Sequence, residues 1–347
     1  MSDILVAMSG GVDSSVAAAR LLAEGHSVTG VTLRLWGGET DSGCCSVGDV
    51  EDARRVAAQL GIPHYVFNLT DTFVDAVVDP YVAAHSDGLT PNPCVECNRS
   101  IKFGVLFARA RALGFDKLAT GHHARVTTRA GTWQLRRGAD YAKDQSYVLY
   151  MLNQTHLART RLPVGEMTKA EVRAEAARMG LRTADKPESM DVCFVRREDR
   201  GDFLADRAPA RPGVIQERDG TVVAQHTAMA GFTIGQRRGL GVAQGEPRYV
   251  IDVNPATAAV TIGTRADLLT NELSISGLTF VAGTAPPPNT VLEVQTRAHG
   301  VPGTGSLSRH SAAAGVITLL NPMTRVAPGQ VIALYRDDEL VGGGIAQ

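Results

Sequence analysis

Ile4-Leu-Val-Ala-Met-Ser-Gly-Gly-Val-Asp-Ser-Ser-Val-Ala-Ala-Ala-Arg-Leu-Leu22 is the stretch on which the fold turns. The apolar run Ile4–Met8 reads as a buried strand. Asp13–Gly25 follows with Val16, Ala17, Leu21 and Leu22 at helical spacing, closed by Gly25. Between them, Gly10 and Gly11 let backbone N–H groups face an anion without a Cβ in the way, and the helix dipole adds positive potential there. Ser9 and Ser14 supply hydroxyl donors. Asp13 alone would repel phosphate, so its place in the loop makes sense if a Mg²⁺ ion bridges it to the nucleotide. The lysine of a GxxxxGK[ST] loop is missing, which argues against the kinase or GTPase grip on a γ-phosphate.

Outward from this loop, strands and helices alternate. Ser27–Leu35 is rich in β-branched residues, Asp49–Leu60 is a helix ended by Gly61 and Pro63, and His64–Leu69 is a third strand. A helix around Phe103–Leu113 and a strand at Lys117–Thr120 complete the pattern of an α/β domain with a parallel sheet covered on both faces. After Val195 the breakers Pro209, Pro212 and Gly213 end the helical periodicity, and GVIQ, TVVAQ, RYVIDV and AAVTI are short β-type runs. VLEVQTRA, GVITLL, QVIALY and LVGGGIA then suit a small barrel. The expected organisation is a catalytic α/β domain over 1–200, a β-rich connector over 201–269 and a C-terminal β-barrel over 270–347.

The 35 basic and 36 acidic side chains nearly cancel, which argues against indiscriminate nucleic-acid or membrane binding while leaving room for local basic patches. The N-terminus lacks a basic n-region and no apolar run approaches membrane-spanning length, so a cytoplasmic protein with no membrane partner is expected. Five cysteines (Cys44, Cys45, Cys94, Cys97 and Cys193) are too few and too unevenly placed for a secreted disulfide framework. Pro91 and Pro93 stiffen an extended loop before the Cys94-Val-Glu-Cys97 pair, and Cys193 lies far downstream in MDVCF. Such a pair can be redox-active, half a zinc site or one nucleophile with a neighbour; zinc would draw further ligands from Cys44/Cys45 or His122/His123. Cys44 and Cys45 are assigned no chemistry.

SGGVDS resembles the signature of the N-type ATP pyrophosphatases, which cleave ATP between its α- and β-phosphates to adenylate a carbonyl oxygen. With PNPCVECNRSIKFG, ATGHHAR, KDQSYVLY, MDVCF, GFTIGQRRGLGV and RVAPGQ, the chain resembles the bacterial tRNA-specific 2-thiouridylases over almost its whole length. That resemblance implies an adenine-nucleotide α-hydrolase-like (Rossmann-like) catalytic domain and thiolation of the wobble uridine of tRNA at its 2-position. ATP, with Mg²⁺, would adenylate the 2-carbonyl oxygen. Cys193 would carry sulfur as a persulfide, and Cys97 would be the nucleophile that releases sulfide or attacks the activated base. The cycle would end in a Cys97–Cys193 disulfide opened by a cellular thiol reductant.

The resemblance also implies ATP contacts from Ala7, Met8, Ser9, Gly10, Gly11, Val12, Asp13, Ser14, Leu33 and Gly121. It implies tRNA contacts from Asn92, Pro93, Cys94, His122, Lys143, Asp144, Gln145, Arg297, Ala298 and Gln330; Arg237 and Arg238, between glycines in IGQRRGLG, read by their own charge as a phosphate clamp on the connector. A cysteine desulfurase or persulfide relay protein would donate the sulfur. Many relatives carry Asp where this chain has Cys94, which opens a second reading: an iron–sulfur cluster on Cys94, Cys97 and Cys193.

Overall fold

The computed structural model describes residues 1–36, 47–187, 192–196, 198–242, 245–298, 300–311 and 313–347. Cys44 and Cys45, and the Met190 and Asp191 of MDVCF, lie outside the described residues. Strands β1 (Asp3–Ala7), β2 (Ser27–Arg34), β3 (His64–Asn68) and β4 (Lys117–Thr120) fall where the sequence predicts them. β5 (Ala124–Arg129) and β6 (Thr132–Arg137) form an unforeseen hairpin, and β7 (Thr160–Arg161) is a two-residue strand. The first sheet is wholly parallel, in the order β3-β2-β1-β4-β7.

Side chains along and just beyond β1 alternate between two cores, as the two-residue period of a strand requires. Ile4, Val6 and Met8 pack with Val16, Val56 and Val172 from the helices Val12–Ala23, Val47–Leu60 and Lys169–Arg178. Leu5 joins Ile101, Leu106 and Leu118 on the opposite face. The chain moves from β1 outward to β2 and β3, then returns to place β4 on β1's other side. The change of direction therefore falls between β1 and β4, where open α/β sheets form a crevice at their carboxyl ends. The loops entering that crevice are 8–11 and 121–123.

The helix expected over Phe103–Leu113 begins at Pro93, not in an extended loop. It runs as Pro93–Glu96, a π-helical stretch Cys97–Leu106, and Phe107–Ala112. Asn92 is its N-cap, accepting the Cys94 N–H through its side chain at 3.1 Å, and Pro93 occupies a first-turn position that needs no N–H. The two prolines thus start a helix, and π-helical turns of this kind recur at functional sites.

β8 (Gly213–Glu217), β9 (Val222–His226), β10 (Tyr249–Asn254) and β11 (Ala259–Gly263) form the connector sheet, in the order β10-β11-β8-β9, around Ile215, Val250, Val260 and Ile262. The preceding helix Arg200–Arg207 escaped the sequence reading because only Leu204 in RGDFLADR is buried, too little to show a stripe. The last unit comprises β12 (Leu269–Phe280), β13 (Val291–Gln295), β14 (Gly303–His310), β15 (Ala314–Thr324), β16 (Val331–Arg336) and β17 (Glu339–Ala346). They run in the antiparallel order β12-β15-β14-β13-β16-β17, and β12 pairs with β17 to close the barrel over Leu273, Ile275, Val294, Ile317 and Leu334. β6 pairs with β17 (Leu135 opposite Leu340, Arg136 opposite Glu339), so a hairpin from the first unit extends the barrel's sheet. Among the described residues, no helix is long and apolar enough to cross a membrane.

Candidate nucleotide and thiol site

The loop after β1 is shaped for an anion. Gly10 has φ +75°, and a Cβ there would overlap the carbonyl oxygen of Asp49, so glycine is required on both counts. Gly11 is the N-cap of the helix Val12–Ala23 and has no side chain to satisfy the first turn's N–H groups, which leaves them to a ligand. Ser14 Oγ accepts the Ser9 N–H at 3.1 Å and lies 3.3 Å from Ser9 Oγ, which sets both hydroxyls at the loop's mouth. Gly121, after β4, packs directly on the same turn: a Cβ there would lie 2.6 Å from Ser14 N. The two loops of the crevice thus form one surface. Leu33 is core, 7% exposed, so only its backbone is available to a nucleotide.

Asp13 is held by a lysine and a histidine whose partnership with it no motif in the sequence announces. Lys169 Nζ lies 2.8 and 2.7 Å from its two oxygens, and His123 Nε2 lies 3.1 Å away. Burial pushes the Asp13 carboxyl up, but the hydrogen bonds from His123 and Lys169 and their charge outweigh it, and the net shift is downward. Lys169 opens its helix behind Thr168, whose capping box with Glu171 fixes that start. A lysine in the first turn opposes the helix dipole and so calls for an anionic partner, the one signal in TKAE that could have revealed it. Near Gly10, Lys186 Nζ makes comparable bonds to Asp49 (2.6 Å) and Asp52 (2.7 Å). Burial opposes its charge, yet these two carboxylates hold its pKa above the usual lysine range. The carboxylates around the loop are therefore already neutralised by lysines, and the donor set does not fit a protein-held Mg²⁺.

Cys97 (7% exposed) and the half-buried Cys193 pack against one continuous core, although 96 positions separate them in sequence. Phe194, next to Cys193, anchors that segment among Trp36, Phe73, Tyr81 and Phe203, with ring centroids 5.5–5.9 Å apart. Tyr81 packs edge-on against Phe194, and burial raises its phenol pKa above the usual range. Cys94, Cys97 and Cys193 are not joined by disulfides, and Cys94 is exposed. Among the described residues, no three His, Cys, Asp or Glu side chains converge as metal ligands, so in this conformation the three thiols do not form a cluster site.

The expected RNA contacts divide into two sets. Lys143 is half-buried and Gln145, Arg237, Arg238, Arg297 and Ala298 are exposed. Asp144 is only 4% exposed and accepts from Arg137, Gly138 and Ser146. Arg137 also donates to Gln295 (2.6 Å), and Gln295 donates to the carbonyls of Arg297 (3.0 Å) and Ala298 (3.1 Å). The positive neighbour that Asp144 demands is thus a buried arginine bridging to the barrel. His122 is buried, bonded to Thr120 Oγ1 at 2.7 Å, and burial with the charge of Lys102 holds its pKa well below the usual range. The Pro93 and Asn92 turn meets the barrel through Thr90, which donates its N–H to Pro328 (2.7 Å) and accepts from the Gln330 amide. Thr90 Oγ1 also reaches Thr233 Oγ1 of the GFTIGQRR segment at 3.3 Å. Three motifs scattered over the sequence meet at this one residue.

Comparison with known proteins matches this architecture unit by unit. Residues 2–197 match the family model described as tRNA methyl transferase HUP domain, residues 201–264 the tRNA methyl transferase PRC-barrel domain, and residues 270–346 the aminomethyltransferase beta-barrel domain. The chain is 45% identical to the tRNA-specific 2-thiouridylase MnmA of Chloroflexus aurantiacus (strain J-10-fl), over 99% of this chain and 98% of that protein. The chain belongs to the tRNA-specific 2-thiouridylase family. Family members from Roseiflexus sp. (46% identity, 99% of both chains) and Mycobacterium avium (47%, 96% of this chain and 95% of that one) carry the same name. The family models speak of methyl transfer, but these full-length relatives are named for thiolation.

Proposed function

We propose that the chain thiolates the wobble uridine of tRNA at its 2-position, consuming ATP. The observation that carries this reading is one crevice architecture that places an anion loop and two thiols, Cys97 and Cys193, on the flanks of a single parallel sheet. In the first step the uridine 2-carbonyl oxygen attacks the α-phosphorus of ATP, the α–β bridging bond breaks, and pyrophosphate leaves. The loop 9–14 holds the phosphates by N–H and hydroxyl donors, with Gly121 against it and the backbone of Leu33 and the 7–8 turn beside the adenine. Lys169 offsets the charge of Asp13, and His123 bonds to the same carboxylate, which lessens the repulsion in the anion's path. Mg²⁺ would be held by the nucleotide's own phosphates and not by these carboxylates, and would supply charge screening there.

In the second step Cys193 carries a persulfide received from a cysteine desulfurase or relay protein. The Cys97 thiolate attacks Cys193 Sγ, the persulfide S–S bond breaks, and the released hydrosulfide adds to C2 of the base. AMP departs with the C2–O electron pair, leaving 2-thiouridine and a Cys97–Cys193 disulfide. A cellular dithiol then returns both residues to thiols by a two-electron reduction. RNA is held by Lys143, Gln145, the Arg237–Arg238 pair, Arg297 and Gln330, with Asn92, Pro93 and Cys94 at the base. The test is to incubate the protein with ATP, Mg²⁺, a persulfide donor and unmodified tRNA, then digest the RNA and measure 2-thiouridine by mass. ATP cleavage with no thiolated base would overturn the reading.

A further inference from the structure

Two hydrogen-bond routes run from the Lys143–Gln145 segment to the carboxylate of Asp13. In the first, Gln145 grips the backbone of His123 twice. The His123 N–H donates to Gln145 Oε1 at 2.9 Å, and the Gln145 N–H donates to the His123 carbonyl at 2.8 Å. The His123 ring then reaches Asp13 through Nε2 at 3.1 Å. An ionised carboxylate only accepts, so Nε2 is the donor of this bond. Nδ1 is buried and meets no hydrogen-bond partner among the described residues. Burying an unpaired nitrogen is costly, so the ring is kept in this orientation by its bond to Asp13 and not by any second bond of its own.

In the second route the Lys143 N–H donates to the Asp140 carbonyl (3.0 Å), the Asp140 carboxylate accepts the Lys169 N–H (2.9 Å), and Lys169 Nζ spans both Asp13 oxygens. Asp144, between the two routes, is locked to Arg137 and through Gln295 to the barrel. The segment that faces solvent at Gln145 is therefore bonded, within two links, to the one carboxylate in the phosphate loop. Anything that orders Gln145 also orders the His123 peptide and the donor it presents to Asp13. When that donor is held, less of the carboxylate's charge faces an incoming phosphate.

We propose that His123 is a positioning residue that transmits occupancy of the Lys143–Gln145 segment to Asp13, so that RNA and nucleotide bind cooperatively. This rests on the reading of that segment as an RNA contact. The ordering cost at His123 is met once, by whichever ligand binds first, and the second ligand binds tighter for it.

The test is to titrate an ATP analogue with a methylene between its α- and β-phosphates, with and without unmodified tRNA. In the unaltered protein tRNA should tighten the analogue about tenfold, and by reciprocity the analogue should tighten tRNA by the same factor. His123→Ala should bring that factor close to one. His123→Gln, whose amide nitrogen can still donate to Asp13, should preserve it, which a merely structural loss would not do. If His123→Ala does not fold, Gln145→Ala removes the side-chain half of the same link, while the backbone bond stays, and should lower the factor at least twofold. A factor of one in the unaltered protein, with 2-thiouridine still formed, would refute the coupling alone. Absence of 2-thiouridine would refute the underlying function instead, and a His123→Ala protein that keeps the full factor would remove His123 from the route.

Discussion

Replacing Lys169 by Met tests the charge balance of the phosphate loop directly. The Lys169 side chain is 12% exposed and its partner Asp13 is 30% exposed. Breaking a fully buried pair costs about 3–5 kcal/mol, whereas an exposed pair contributes about 0–1 kcal/mol. This pair lies between those limits, and His123 remains as a second donor, so a loss of about 2 kcal/mol is expected. At about 2–4 °C per kcal/mol, the unfolding midpoint of the first unit should fall by about 4–8 °C near pH 7. Both tryptophans, Trp36 and Trp133, lie in that unit and pack against its core, so their emission reports its unfolding. The pH dependence is the sharper measurement. Asp13 is lowered in the folded protein, so its stabilisation is present above the unfolded carboxyl pKa, about 4, and is lost as pH falls through the folded value. The gap between the parent and Lys169→Met should therefore be widest near neutrality and narrow below that pH. A gap of the same size at pH 3 and pH 7 would show that Lys169 stabilises by packing its stem and not by pairing with Asp13.

Further outcomes follow from other residues. Cys97→Ser and Cys193→Ser should each abolish 2-thiouridine in the tRNA digest, whereas Cys44→Ser should leave it unchanged. Gly121→Ala, which would set a Cβ 2.6 Å from Ser14 N, should weaken ATP binding by at least tenfold in calorimetric titration, about 1.4 kcal/mol. Arg137→Met leaves Asp144 buried without its cation and should cost about 3–5 kcal/mol, seen as earlier loss of barrel structure in thermal scans. Phe194→Ala removes a ring packed against four others and should destabilise by about 3–5 kcal/mol while speeding Cys193 alkylation by iodoacetamide.

The parallel sheet and its anion loop were legible in the sequence because their signals are local. Strand, glycine pair and amphipathic helix lie within Ile4–Leu22, and each constrains the others. The barrel was only partly legible. β12 and β14 (LTNELSISGLTF and GTGSLSRH) dilute their apolar residues with hydroxyls and glycine, so they lack the dense apolar runs that marked β13 and β16. Pro93 was read as loop-stiffening because a proline after Pro91 and Asn92 looks like a turn; only the Asn92 cap shows that it begins a helix. Around the site, Gly10, Gly11 and Gly121 announced themselves through backbone demands. Lys169 and His123 did not, since an ion pair across 156 positions leaves no trace at either end beyond a lysine oddly placed in a first helical turn. The motif positions of the RNA segment were visible, but burial of Asp144 and His122 depends on Arg137 and Thr120, which no spacing rule connects to them.

The pairing of β6 with β17 sets a timetable for synthesis. Leu135 is fully buried, and its partner Leu340 lies 205 positions (340 − 135) later in the sequence. At about 5–20 residues per second, the β5–β6 hairpin waits on the order of 10–40 seconds for Leu340 to emerge. During that interval the nascent first unit carries an unpaired strand edge at Leu135 and Arg136. Fragments ending before the barrel should inherit the same edge permanently and aggregate through it.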